Sequence, residues 1–307
     1  MHLGQGLARA AQTKPSGTST IFRDRRRTWR ETAERIARLA GGLRASGLHK
    51  GDRAAILALN SDRYLEYLFA VPAAAGVTVP LNTRLAPPEI AAMLDDSGTT
   101  MLFVDAAMAP AVDALRGRMG QVRQLIWLDD TAVPPGMRGF ETLLDAAPIS
   151  GAAAQDDDIA GIYYTGGTTG ISKGVMLSHR NLVTNAANMT VTVGYVSDSV
   201  YLHAAPMFHL ADGASTLAVT MAGGTHVFIP RFDPGAAAAS IAAERVTNTL
   251  LVPTMINALV NLPGLDAFDL SSLAMAWCRS AGRQCRTPCC SGRRNDCRHA
   301  GSCTSMA

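Results

Sequence analysis

Apolar runs of four to seven residues recur along this chain, each followed by a longer stretch with helical spacing. That alternation constrains the fold more than any other feature. Ala54 to Leu59, Val77 to Leu81, Met101 to Val104 and Val122 to Leu128 read as strands separated by helical segments. The pattern resumes at Ile159 and continues through Val200 to Ala205, Thr225 to Ile229 and Thr249 to Val252. Strand and helix in strict alternation predict right-handed βαβ units and a mostly parallel sheet, with no tandem repeat. Near the start, Thr28 and Glu31 stand at capping-box spacing ahead of a helix in which Ile36, Leu39, Ala40 and Leu43 form one face, and Gly47 is placed to end it. The charged run Arg23 to Arg27 between two short strands reads as a solvated hairpin turn.

The most distinctive local stretch is Tyr164-Thr165-Gly166-Gly167-Thr168-Thr169-Gly170-Ile171-Ser172-Lys173-Gly174. Glycines let a phosphate approach bare backbone N–H groups, threonine hydroxyls add donors, and a lysine supplies a point charge. It is not a Walker A loop, because neither Gly166 nor Gly167 has the Gly-Lys-Ser/Thr triplet at the required offset. Its flanks differ too: Ile159 to Tyr164 and Gly174 to Leu177 read as two strands, with a helix only after Ser178. A glycine-rich hairpin without any ligand also fits these residues in isolation.

Extended through Val175-Met176-Leu177-Ser178-His179-Arg180-Asn181, this stretch closely resembles the phosphate-binding signature of the adenylate-forming superfamily: acyl-CoA synthetases, aryl-CoA ligases, luciferases and peptide-synthetase adenylation domains. Lys50-Gly51-Asp52-Arg53, Val79-Pro80-Leu81-Asn82-Thr83-Arg84-Leu85, Met93-Leu94-Asp95-Asp96-Ser97-Gly98 and Pro206-Met207-Phe208-His209 are similar to further family segments, so the resemblance runs over residues 1 to 273. Asn82-Thr83-Arg84 and the Phe-His pair look most like the fatty acyl-CoA ligase branch, and aryl-CoA ligases share much of the pattern.

The resemblance implies a large N-terminal α/β domain of two subdomains with mostly parallel sheets, the first over residues 1–155 and the second over 156–273 with its phosphate loop at 164–174. The intact family adds a small barrel and a mobile C-terminal domain. The acids Asp156 to Asp158 then lie in a solvated connection. The implied chemistry is attack of a carboxylate on the α-phosphate of ATP, giving an acyl-adenylate and pyrophosphate, followed by displacement of AMP by the CoA thiolate. Thr165, Gly166, Gly167, Thr168, Thr169, Gly170 and Lys173 would hold the phosphates, with Gly170 and Gly174 as flexing points. A histidine after Met-Phe is, taken alone, more often packing, but within Pro206-Met207-Phe208-His209 the resemblance places His209 beside the acyl and phosphate pockets. Met207, Phe208 and Gly213 would shape the acyl tunnel, although an apolar Met-Phe pair is equally what any core contains. His179 and Arg180 belong to the signature or simply fix the helix start.

The family's Tyr-Gly-x-Thr-Glu segment, whose glutamate holds Mg²⁺, does not occur in the 307 residues, and the ribose aspartate, hinge and C-terminal lysine are not found either. The expectation is a truncated ligase that alone makes no acyl-CoA. The alternative is a non-catalytic nucleotide- or acyl-binding protein, or a partner subunit of a ligase. A small-molecule acid, ATP and CoA are the expected partners, with a homodimer as a candidate assembly.

With 307 residues, 48% of them hydrophobic, the chain can bury a sizeable core. Tyr67 to Leu81, its longest apolar run, is too short for a membrane span and carries Pro72 and Pro80; with no signal-peptide core at the start, a cytoplasmic protein is expected. The net charge of +3 gives no reason to invoke nucleic acid, and it is not evenly spread. Residues 274–307 hold six arginines against one acid, Asp296, and all six cysteines, at 278, 285, 289, 290, 297 and 303. A zinc site with His299 lacks any Cys-x-x-Cys pair, and a disulfide framework does not suit a chain without an export signal. A shifted reading frame from about codons 272–279 accounts for both changes. Back-translated Gln284 to Arg293, read from the third base of each preceding codon, can encode Met-Pro-Asp-Ala-Leu-Leu-Gln-Arg-Ala, similar to what the family carries there. The tail from 274 is therefore expected to be disordered, leaving an open sheet edge after Leu273.

Overall fold

The computed structural model describes residues 2–115, 117–149, 154–166 and 172–274, and the backbone of 275–280 and 283–287. In chain order the strands are β1 (Thr18–Phe22), β2 (Arg25–Thr28), β3 (Arg53–Leu57), β4 (Val77–Pro80), β5 (Thr99–Val104), β6 (Gln124–Trp127), β7 (Arg138–Gly139), β8 (Ile159–Thr165), β9 (Lys173–Ser178), β10 (Val200–His203), β11 (Thr225–Phe228), β12 (Asn248–Leu250), β13 (Met275–Ser280) and β14 (Arg283–Thr287). The helices are α1 (Gly4–Thr13), α2 (Trp29–Ala45), α3 (Asp62–Ala73), α4 (Pro87–Ser97), α5 (Ala109–Leu115), α6 (Phe140–Leu143), α7 (His179–Val193), α8 (Leu210–Ala222), α9 (Pro234–Glu244) and α10 (Pro253–Val260).

Among the described residues these strands form two seven-stranded sheets, ordered β7-β6-β5-β3-β4-β8-β9 and β14-β13-β12-β10-β11-β1-β2. All pairings are parallel except three hairpin pairs, β1 with β2, β8 with β9 and β13 with β14. The α/β class and the mostly parallel sheets are as the alternation predicts. Most predicted strands run a residue or two beyond the ladders, because the flanking backbone stays extended and bonded: Leu81 N–H donates to the Ile56 carbonyl at 2.9 Å and Leu128 N–H to that of Val104 at 2.8 Å.

The sheets are not consecutive blocks of sequence. The hairpin β1–β2 joins the second sheet through β11, and the hairpin β8–β9 joins the first through β4. Each half of the chain thus lends two strands across the boundary expected at residue 155. At the other end, β13 lies parallel to β12 and covers its edge, so backbone pairing continues past Leu273 where an open edge was expected. The rest of the tail, residues 281–282 and 288–307, lies outside the described residues.

Helix α2 shows how local chemistry fixes an element. Thr28 accepts from the Glu31 N–H at 3.3 Å, Glu31 accepts from the Thr28 N–H at 2.7 Å, and Ile36, Leu39, Ala40 and Leu43 are buried. Gly42 permits a contact no other residue allows: a Cβ there would lie 2.1 Å from the Leu143 carbonyl oxygen.

The arginine run departs from its reading as a solvated turn. Arg23, at φ 57°, makes the turn, and Arg26 reaches Glu244, but Arg25 and Arg27 point inward to Asp62, whose side chain is 1% exposed. Arg35 bridges the equally buried Glu66 (2.7 Å) and Glu141 (2.8 Å), and Arg63 also reaches Glu141 at 2.8 Å. Burial pushes the Asp62 carboxyl up, yet the hydrogen bond from Arg25 and the charges of Arg27 and Arg25 hold it below the usual range. At Glu66 burial wins over Arg35 and Arg27, and the carboxyl is raised.

Candidate active site

The parallel pairing of β4 with β8 brings two loops to one edge of the first sheet: 81–86 after β4, and the loop between Thr165 and Lys173 after β8. Of the predicted phosphate ligands, Thr165, Gly166 and Lys173 are exposed at the mouth of this loop, and the Thr165 hydroxyl donates to the Lys173 carbonyl at 3.4 Å. Gly167, Thr168, Thr169 and Gly170 lie outside the described residues. The loop has a rigid root. Tyr164 donates its phenol to Asp96 at 2.6 Å and stands 3.1 Å from the Met93 carbonyl of α4, and its hydroxyl is pushed up by burial and then by Asp96. Gly174 belongs to this root: a Cβ there would meet Ile162 at 2.8 Å and the Tyr164 ring at 3.3 Å, so close strand packing explains this glycine.

Downstream of the loop, Ser178 caps α7, accepting from the Asn181 N–H at 3.2 Å while Asn181 accepts from the Ser178 N–H at 3.0 Å. His179 is buried, stacks on the His2 ring at 4.5 Å, and accepts from the Leu3 N–H at 3.4 Å. Burial, with the charge of His2 adding to it, pushes its imidazole down to about 4. Arg180 pairs with Asp157 at 2.9 Å, and Lys50 pairs with Asp158 at 2.7 Å, so the acidic connection is at the surface but tied down. These two signature residues hold the start of α7 and dock the N-terminal segment.

His209 sits at the end of β10's connection, as N-cap of α8, with an exposed ring tilted 40° against Phe208 at 4.5 Å. Partial desolvation of the imidazole against its neighbours lowers its pKa, and Arg84 of the 81–86 loop lowers it further. Arg84, after β4 of the first sheet, is thus close enough to His209, after β10 of the second, for its charge to act on the imidazole. Met207 and Phe208, 1% and 7% exposed, pack inward, and Gly213 is buried with room for a methyl group, its nearest contact being the Met207 carbonyl at 3.7 Å.

Sequence reasoning missed the residue that joins the two edges. Asn60, after β3 and 4% exposed, donates to the carbonyls of His203 (3.2 Å) and Ala205 (2.9 Å) and accepts from the Met207 N–H at 2.9 Å. Its own N–H donates to the Pro230 carbonyl at 3.0 Å. A single asparagine in a loop has no periodicity to give it away. A cleft of about 260 Å³ opens beside it, between the loops after β3 and β5, lined also by Arg25, Arg63 and Asp105. Arg25 and Arg63 there are already paired with acids, and the loops that carry Arg84, His209 and Lys173 are the candidate site. No group of three or more His, Cys, Asp or Glu among the described residues could hold a metal ion.

Two mostly parallel sheets flanked by helices, with a glycine- and threonine-rich segment between β8 and β9 and a histidine at the N-cap of α8, define the class as α/β. The family model for AMP-binding enzymes matches residues 7–294, and this chain belongs to that adenylate-forming family. It is 39% identical over 283 residues to a feruloyl-CoA synthase from Amycolatopsis sp, covering 91% of this chain and 54% of that protein. It is 37% identical over 241 residues to a long-chain-fatty-acid–CoA ligase from Thermus thermophilus, covering 77% and 44%. The chain thus spans about half the length of the curated relatives it matches. Among solved structures, the N-terminal domain of FACL13 from Mycobacterium tuberculosis superposes with a TM-score of 0.82 at 28% identity, covering 92% of this chain and 70% of that one.

Proposed function

We propose that the chain carries the carboxylate- and ATP-binding part of an acid–thiol ligase, which joins a carboxylic acid to AMP and then to CoA. The match to the AMP-binding family over residues 7–294 carries this reading, supported by Arg84 lying close enough to His209 to act on it by charge. Thr165, Gly166, Gly167, Thr168, Thr169, Gly170 and Lys173 would donate to the phosphates, and developing charge on them is what such preorganised donors stabilise. His209 and Arg84 would face the acid and the α-phosphate, while Met207, Phe208 and Gly213 back the acyl pocket from the core side. The division into subdomains 1–155 and 156–273, the frame change in the tail, cytoplasmic location and a homodimer are parts of the same proposal. Among the described residues no helix is long and apolar enough to cross a membrane.

Mg²⁺ would supply positive charge to the phosphates in the family's reaction, and the 307 residues hold no Tyr-Gly-x-Thr-Glu segment to supply its glutamate. We therefore propose that the chain by itself binds nucleotide without forming acyl-CoA. A fatty acid is the substrate class indicated by Asn82-Thr83-Arg84 and Phe208-His209. An aryl acid is the second reading, supported by the longer match to the feruloyl-CoA synthase. The test is calorimetric titration of the purified chain with ATP, then with non-hydrolysable fatty-acyl and feruloyl adenylate analogues. Binding that Lys173→Ala weakens about tenfold supports the reading; no binding of any of the three defeats it, and the tighter analogue decides the acid.

A further inference from the structure

Beneath His209 runs an unbroken line of buried polar side chains that the proposed reaction does not use. Tyr201 and His203 of β10, His226 of β11 and Asp212 of α8 are 0% exposed, and Thr220 of α8 is 1% exposed. Tyr201 donates to Asp212 Oδ1 at 2.9 Å, and His203 Nδ1 meets Asp212 Oδ2 at 2.6 Å. His203 Nε2 stands 3.0 Å from His226 Nδ1, and His226 Nε2 stands 3.1 Å from the Thr220 hydroxyl. Rings pack the line on its sides: Phe228 stacks on His203 at 4.6 Å and Trp29 meets His226 edge-on at 6.0 Å.

With Asp212 ionised, one arrangement of protons satisfies every bond. An ionised Asp212 only accepts, so Tyr201 and His203 Nδ1 both donate to it. At the far end the Thr220 hydroxyl proton needs a buried acceptor, and His226 Nε2 is the one within reach. His226 must then carry its proton on Nδ1 and give it to His203 Nε2, which returns the chain to Asp212 with both imidazoles neutral. Burial, reinforced by His203, drives the pKa of His226 well down, and burial with Asp212 drives that of Tyr201 up, so both stay in the required forms. The anion is placed to suit: Asp212 lies in the first turn of α8, where helix N–H groups favour negative charge.

The line matters for position. Asp212 N–H and Gly213 N–H both donate to the His209 carbonyl at 3.0 Å, so the carboxylate that locks onto β10 also locks the turn bearing His209. Asn60 grips the same segment from the opposite side through His203, Ala205 and Met207. We propose that Asp212, held by Tyr201 and by the Thr220–His226–His203 relay, is a positioning residue that seats the first turn of α8 and with it His209 in the acyl-activating site. This rests on the ligase reading of that site.

The test combines a spectrum with binding. In ¹⁵N-histidine-labelled chain, His203 and His226 should both appear as Nδ1–H tautomers at neutral pH. The other titratable groups facing the line, Tyr64 of α3 and Tyr195 after α7, have their pKa values raised by burial and stay neutral there. Asp212→Ala should scramble the His203 tautomer, shift the His209 resonance and weaken the acyl-adenylate analogue at least tenfold, leaving affinity for ATP within twofold. Asp212→Asn, which can still accept from His203 Nδ1, should restore most of it. Should Asp212→Ala fail to fold, Thr220→Val removes only the terminal hydroxyl and should loosen the His226 tautomer with a smaller loss. An Nε2–H tautomer at His226, or an unmoved His209 resonance with wild-type analogue binding in the alanine variant, would overturn the proposal. If the wild-type chain binds no analogue, the ligase reading fails, while the tautomers still report on the relay.

Discussion

At the scale of single residues, the sharpest consequence concerns His179. Its folded pKa of about 4 lies below the unfolded value of 6.5, so the neutral ring contributes stability that is fully present above about pH 6.5. That contribution is lost as pH falls from there toward 4, because the charged ring must leave its stack on His2. The N-terminal segment should therefore become protease-accessible between pH 6.5 and 4.5, and His179→Gln should reduce that pH dependence, the remainder belonging to His2, whose imidazole burial also pushes down; an unchanged cleavage rate would refute it. Gly42→Ala should destabilise by roughly 1–3 kcal/mol in urea unfolding, since the new methyl is overpacked against the Leu143 carbonyl. Gly213→Ala should be near neutral for stability, having no contact under 3.7 Å. The capping box at Thr28 was legible because three residues suffice to define it. Asp212 and Asn60 were not legible, because each acts on groups well over a hundred or about ten residues away that sequence does not order in space.

At the scale of elements, the β1–β2 hairpin is fastened to α3 by charge. Asp62, in the first turn of α3, takes Arg25 at 2.8 Å and Arg27 in a site where its own side chain is 1% exposed. Removing one partner of a buried pair leaves the others uncompensated, which typically costs about 3–5 kcal/mol. Asp62→Ala should lower the stability of the chain by that order, read from chemical denaturation, and Asp62→Asn by less. A change below 1 kcal/mol would mean the pairs are solvated, as the charged run alone suggested. The pairing was illegible because alternating arginines in a short strand look the same whether their partners are water or a helix that starts 35 residues later.

At the scale of the whole molecule, the exchanged hairpins predict cooperativity. Because β1–β2 completes the second sheet and β8–β9 the first, neither sheet can unfold without stripping a hairpin from its own half of the chain. Variants retaining only Trp29, buried beside His226, or only Trp127, on β6 of the other sheet, should show coincident urea transitions. Separated midpoints would show two independent units. The candidate site depends on the same interlocking, since its loops leave both sheets and are joined through Asn60.

The sequence by itself determined the α/β class, the parallel alternation, the helix caps and the family, because each is written in residues close together along the chain: period, cap spacing and a loop of glycines, threonines and lysine. The tertiary structure alone decided which strands share a sheet, that the charge of Arg84 reaches His209, and that Asp212 is held by His203 and Tyr201. Those are contacts between elements, and their energies depend on burial and distance, which local patterning does not encode.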